Sequence, residues 1–95
     1  MYITIYRIKP SWQAQEDNFR TVADVITDNI HYNVQMATMD TDMNLTISVN
    51  ARTISTTRDK EGNEHLIVVV NDRDGLPHFI NLKSSDYEYM TSFME

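Results

Sequence analysis

The chain has 95 residues, a formal net charge of −6 and 41% hydrophobic side chains, which predicts one folded domain spanning residues 1–95. It contains no cysteine, which excludes disulfides, thiolate metal sites and cysteine nucleophiles. Its two glycines, Gly62 and Gly75, are too far apart for a glycine-rich phosphate-binding loop. No apolar run reaches the roughly 18 residues that span a bilayer, and residues 1–8 lack the pattern of a secretory signal. We therefore expect a cytoplasmic protein.

The first third of the chain predicts a strand and then the main helix. In residues 1–8, Ile3 and Ile5 share one face of an alternating pattern, and Pro10 ends the strand because it has no backbone N–H. Apolar side chains then recur at the spacing of one helical face: Phe19, Val22, Ala23, Ile26 and Ile30. This stripe predicts a helix over residues 13–30.

The middle of the chain alternates with a period of two, which predicts strands. Residues 45–51 alternate cleanly, whereas Ile54 falls out of phase, which we interpret as a bulge near Arg52 or as the end of the strand. The predicted strands are residues 32–36, 45–51, 66–70 and 79–82. Residues 66–70 do not alternate but form an unbroken apolar run, which predicts the most buried strand. Turns rich in aspartate separate them, and Gly62 and Gly75 are expected to adopt positive φ angles.

The last residues predict a second, short helix. Ser85 followed by Glu88 matches a capping box, so we expect a helix over residues 86–94. The predicted fold is therefore α+β: an antiparallel sheet of four to five strands, one main helix and a short C-terminal helix, in two layers.

The negative charge is concentrated in the predicted helices and in the first of the predicted turns. Nucleic-acid and anionic-membrane binding need lysine and arginine, so this sign argues against both. It favours a partner protein with a basic surface, because complementary potential speeds association. The alternative is that the surplus of carboxylates only keeps a small protein soluble. The carboxylates expected to contact a partner are Asp17, Asp24, Asp28, Asp40, Asp42, Asp86 and Glu88. Met39 and Met43 are expected to add adaptable apolar contacts.

No pattern in the sequence predicts catalysis, a metal site or a cofactor. Residues 40–44 open like a calcium loop, but Leu45 stands where that loop needs glycine and Ala51 where it needs glutamate. None of the three histidines has the spacing of a metal-binding pair. We therefore expect a non-enzymatic protein.

The profile of a short, acidic, cysteine-free chain without a catalytic constellation resembles that of phage-borne inhibitors such as anti-CRISPR and anti-restriction proteins. The resemblance covers composition and no specific motif. It implies an inhibitor, monomeric or homodimeric, that blocks the nucleic-acid-binding surface of a host defence nuclease complex in the host cytoplasm. Two other interpretations stay open: an immunity protein or antitoxin that neutralises a basic toxin, and a small virion or assembly protein.

Overall fold

The structure is a computed structural model that describes residues 1–15, 34–72 and 74–93. Seven strands and one four-residue helix make up the regular structure of these residues. In chain order they are β1 (Tyr2–Ile8), α1 (Pro10–Gln13), β2 (Val34–Met39), β3 (Leu45–Asn50), β4 (Thr53–Arg58), β5 (Glu64–Asn71), β6 (Pro77–Lys83) and β7 (Tyr89–Phe93).

The strands form two antiparallel sheets. The first has the order β2-β3-β1-β7 and the second the order β4-β5-β6. The chain passes from the first sheet to the second at residues 51–52. There the N–H of Ala51 donates to the carbonyl of Met1, and the N–H of Arg52 donates to the carbonyl of Val69, both at 2.7 Å.

The core lies between the two sheets. Alternation along each strand turns its apolar residues to one face, as in the buried Ile3 and Ile5 of β1. The buried side chains of both sheets belong to a single cluster, so the sheets pack face to face as a sandwich. Its members are Ile3, Ile5, Ile8, Trp12, Leu45, Ile47, Val49, Ala51, Leu66, Val68, Val70, Ile80 and Leu82.

The predicted α+β fold class is wrong, because the described part of the chain is mainly β and contains no helix of seven or more residues. The helix expected over residues 86–94 is wrong where the structure describes it, because residues 89–93 form β7; residue 94 lies outside the described residues. Tyr89 of β7 pairs with Tyr6 of β1, and the two rings stack with centroids 4.3 Å apart. A helix this short is marginal in water, whereas the edge of β1 offers a full set of hydrogen bonds.

The prediction of one sheet of four to five strands is also wrong. Ile54, whose phase suggested a bulge or a strand end, belongs to β4 in the second sheet and packs against the core. Its phase changes because the chain has crossed between sheets. The main helix expected over residues 13–30 includes Gln13, where α1 ends, while residues 16–33 lie outside the described residues. Among the described helices, none has the length and apolar character needed to cross a membrane.

Candidate functional site

Three hairpin turns repeat one hydrogen-bond pattern: residues 40–44, 59–63 and 72–76. In turn 40–44, Asp40 Oδ1 accepts the backbone N–H groups of Asp42 and Asn44, both at 2.9 Å. Asp59 and Asp72 accept the equivalent N–H groups at 2.9–3.0 Å. The aspartate fixes each turn because its short side chain satisfies backbone donors that no strand partner reaches.

The fourth residue of each turn adopts a positive φ. The angle is 83° at Gly62 and 81° at Gly75, which confirms the expectation for both glycines. At the same position turn 40–44 carries Met43, with a φ of 66°. A residue with a side chain is strained in this left-handed region. Met43 is also 57% exposed, so burial of its side chain contributes little to offset the strain.

Each of these aspartates also lies close to a basic side chain. Asp59 Oδ2 lies 2.8 Å from His65 Nε2, and Asp72 Oδ2 lies 3.0 Å from His78 Nε2. Asp40 Oδ2 instead faces Arg7, whose Nε is 3.8 Å away. The pKa of Asp40 is held below its ordinary value mainly by the backbone N–H of Asn44, with smaller contributions that include Arg7.

Arg7 links turn 40–44 to the segment before β7. Its Nη1 lies 3.2 Å from Glu88 Oε2, on the side of β1 opposite the turn. Arg7 has a φ of 56° and lies where the register between β1 and β3 shifts. This local distortion directs the guanidinium between Asp40 and Glu88.

We call the surface formed by Arg7, residues 39–44 and residues 84–88 the 40/88 surface. It surrounds an open cleft of about 350 Å³, lined by Arg7, Lys9, Asn44, Ser84, Ser85, Tyr87 and Glu88. Burial raises the pKa of Tyr87, which packs against the core below the cleft. The cleft mixes bases, hydroxyls and a carboxylate, so its lining is polar and of mixed charge.

Of the predicted partner-binding residues, Asp40 and Glu88 are joined through Arg7. Met39, Asp42 and Met43 lie in or next to the same turn, whereas Asp86 lines a separate pocket with Trp12 and His65. They are not equivalent. Asp86 Oδ2 accepts the N–H of Lys83 at 2.6 Å, and its carbonyl accepts the N–H of Lys9, so Asp86 shapes the segment. Asp42 is exposed and forms no ion pair with any residue that the structure describes. The other three predicted residues, Asp17, Asp24 and Asp28, lie outside the described residues.

Sequence reasoning did not find Gln13, which anchors the 40/88 surface from below. Gln13 is 7% exposed, and its Nε2 donates to the carbonyls of Ile8, at 2.9 Å, and Met43, at 3.0 Å. This one amide ties the end of β1 to the strained residue of turn 40–44.

His65 has a structural role, because both of its ring nitrogens form hydrogen bonds within the second sheet and its turn. Its Nε2 faces Asp59 Oδ2 and its Nδ1 faces Asn81 Oδ1, each at 2.8 Å. Because both ring nitrogens face oxygen atoms, the doubly protonated ring satisfies both contacts by donating. The hydrogen bond to the Asp59 carboxylate raises the pKa of His65. Within the described residues, no group of three or more histidine or acidic side chains is arranged to hold a metal ion.

The Asp59–His65 pair predicts a pH dependence. The stability that comes from the raised pKa of His65 is fully present below the unfolded histidine pKa of 6.5. It is lost as the pH rises through the raised pKa of folded His65. The pKa of Asp59 is lowered, chiefly by His65, so its contribution is lost as the pH falls below the ordinary value of 3.8. In a nuclear magnetic resonance titration, we expect the His65 midpoint above 6.5, and a lower midpoint in Asp59→Asn. An unchanged midpoint in the variant would contradict the assignment.

No protein-family model, curated protein or solved structure matches this chain. What the protein does must therefore be inferred from its own residues.

Proposed function

We propose that the protein is a small non-enzymatic binding protein whose 40/88 surface docks on a basic surface of a nucleic-acid-binding protein. The partner that we propose is a host defence nuclease complex, and the protein then acts as its inhibitor in the host cytoplasm. Blocking the surface that holds nucleic acid prevents the nuclease from reaching its substrate.

The observation that supports this proposal is the strained and exposed conformation of Met43. Its backbone is strained, its side chain is 57% exposed, and glycine occupies the same position in the other two turns. A side chain kept at such a position at a cost in stability is typical of a functional contact. Met39, the last residue of β2, is 45% exposed, so residues 39–43 carry two exposed, adaptable thioethers and the exposed Asp42. Apolar contacts beside a carboxylate suit a basic protein surface, where aliphatic parts of lysine and arginine lie between their charges.

The chain offers a matched pair of variants to test this. Asp42 and Asp74 are both exposed and both occupy the third position of their turns. The two turns lie at opposite ends of the sandwich, because turn 40–44 lies beside Ile8 and turn 72–76 follows the far end of β5. Asp42→Lys and Asp74→Lys therefore make the same change in charge, and only the first alters the 40/88 surface.

We expect immobilised wild-type protein and Asp74→Lys to capture a basic nucleic-acid-binding protein from host lysate at low salt, and Asp42→Lys to capture less. With the captured protein purified, the association rate should fall several-fold for Asp42→Lys only, and it should fall for all three proteins as salt rises. Equal rates for the two variants, or rates that salt does not change, would contradict the proposal.

Met43→Gly is predicted to separate stability from binding. Relief of the left-handed strain should raise the free energy of unfolding by about 1 kcal/mol, measured in urea. Affinity for the captured partner should fall at the same time, because the exposed thioether is lost. The control is Thr41→Gly, which is exposed in the same turn and has no positive φ to relieve, so it should not stabilise. A Met43→Gly variant that binds as well as the wild type would remove the main support for the 40/88 surface.

A further inference from the structure

Among the residues that the structure describes, the strand β4 has one edge without a strand partner. In the described part of the chain it pairs with β5 alone, in an unbroken register from Thr53 opposite Val69 to Arg58 opposite Glu64. Ile54 is half-buried, and the other five residues of β4 are exposed. A strand with one unpaired edge and side chains exposed on both faces presents backbone donors and acceptors to any extended chain that approaches it.

The other three edge strands of the described sheets carry features that discourage pairing. β6 begins with Pro77 and ends with Lys83, β2 has a register shift between Val34 and Met36, and β7 has only five residues. Proline, lysine, bulges and short length are the usual means of blocking an edge. Between Thr53 and Thr57, β4 has none of these, and its hydroxyl and β-branched residues favour an extended backbone.

We propose that β4 binds an extended segment of another protein by strand addition, and that this segment carries carboxylates opposite Arg52 and Arg58. Arg52 directly precedes β4, Arg58 is its last residue, and both are exposed, so the edge of β4 carries one positive charge near each end. Glu64 reaches Arg58 only at 4.0 Å, and the Arg58 side chain is 73% exposed, so its guanidinium is available to a partner carboxylate. This surface belongs to the second sheet and is separate from the 40/88 surface.

The same arginines disfavour a second copy of the chain on this edge. A dimer with two-fold symmetry pairs β4 with itself antiparallel, and paired residues must point to the same face. If the axis passes through Ser55, Arg52 lies opposite Arg58 twice. If it passes through Thr56, Arg58 lies opposite the apolar Ile54 twice. Like charges directly opposite each other destabilise an antiparallel pair, and Ile54 gives arginine no counter-charge.

The probe is the peptide acetyl-Glu-Thr-Val-Thr-Val-Thr-Glu-amide, whose two carboxylates have the spacing of Arg52 and Arg58. The control peptide has lysine at both ends. Binding is followed by chemical shifts and amide hydrogen exchange of the wild-type protein and of the double variant Arg52→Glu, Arg58→Glu. A second double variant with glutamine at both positions serves if charge reversal disturbs the fold.

We expect the acidic peptide to bind at concentrations of about 1 mM or below and to slow the exchange of backbone amides within residues 53–58. The double glutamate variant should bind the acidic peptide about tenfold more weakly than the wild type does, and it should bind the lysine peptide more tightly than the acidic one. The double glutamine variant should lose less affinity for the acidic peptide. Binding without protection of β4, equal binding of both peptides, or no binding at this concentration would overturn the proposal. So would a dimer in sedimentation that protects β4 without any peptide, since that result would identify a second copy as the occupant.

Discussion

Replacing Trp12 with alanine is expected to lower the free energy of unfolding by about 3–5 kcal/mol, the usual cost of removing a large buried aromatic side chain. Trp12 is 2% exposed and belongs to the core cluster that both sheets share. Its indole Nε1 also donates to the carbonyl of Asn81 at 2.8 Å, which joins α1 to β6. Since small domains have only about 5–15 kcal/mol in total, this loss is a large share of the stability of the whole domain.

The measurement is urea unfolding followed by far-ultraviolet circular dichroism, because Trp12 is the only tryptophan and the variant has no indole fluorescence. Trp12→Phe is the control. It keeps most of the apolar volume and loses the donor to Asn81, so it should cost about 1–2 kcal/mol less than alanine does. A loss below about 1 kcal/mol for alanine would show that α1 does not help to close the core.

The role of Trp12 explains why so short a helix exists. Four residues cannot form a stable helix alone, so α1 depends on the sandwich beneath it. Pro10 supplies a φ suited to the first helical position, and the two buried side chains, Trp12 and Gln13, attach the turn to both sheets.

The strands were the predictable part of the fold. Alternation located β1 and β3 within a few residues, because each has one face against the core. An unbroken apolar run located β5, and the apolar residues of 79–82 located β6. A period of two does not say which sheet a strand joins. The phase of Ile54 was therefore interpreted as a bulge or the end of a strand, although the chain has already entered the second sheet at this residue.

The predicted C-terminal helix failed for a different reason. Ser85 and Glu88 have the types of a capping box, but the backbone N–H of Glu88 donates to the carbonyl of Tyr6 at 2.9 Å. The hydrogen bond to a strand that lies 82 positions away in the sequence therefore replaces the local capping interaction. Sequence patterns describe neighbours along the chain, so a distant edge that competes for the same residues leaves no signal in them.

The candidate site also has some features that the sequence signals and others that it does not. The strain at Met43 had a signal in the sequence, because residues 40–44 align with the two turns that have glycine at the fourth position. A sequence signal also existed for the two aspartate–histidine pairs, because six positions separate Asp59 from His65 and Asp72 from His78 alike. Arg7 and Gln13 had none, because their partners Glu88 and Met43 lie 81 and 30 positions away.

Gln13→Met is expected to lower the free energy of unfolding by about 1–3 kcal/mol, although methionine matches the size of glutamine. The amide that donates to the carbonyls of Ile8 and Met43 is lost, and the buried contact to Ile8 has no water to replace it. The turn 40–44 then keeps its own hydrogen bonds and loses its anchor to β1.

The variant should therefore speed amide hydrogen exchange in turn 40–44 more than in turn 72–76, and it should weaken binding at the 40/88 surface. Gln15→Met is the control, because Gln15 is exposed just beyond α1 and should change neither quantity. Exchange that accelerates equally in both turns would mean that Gln13 contributes only to global stability. A selective effect would instead show that a buried amide holds Met43 in its strained conformation and so determines the shape that a partner meets.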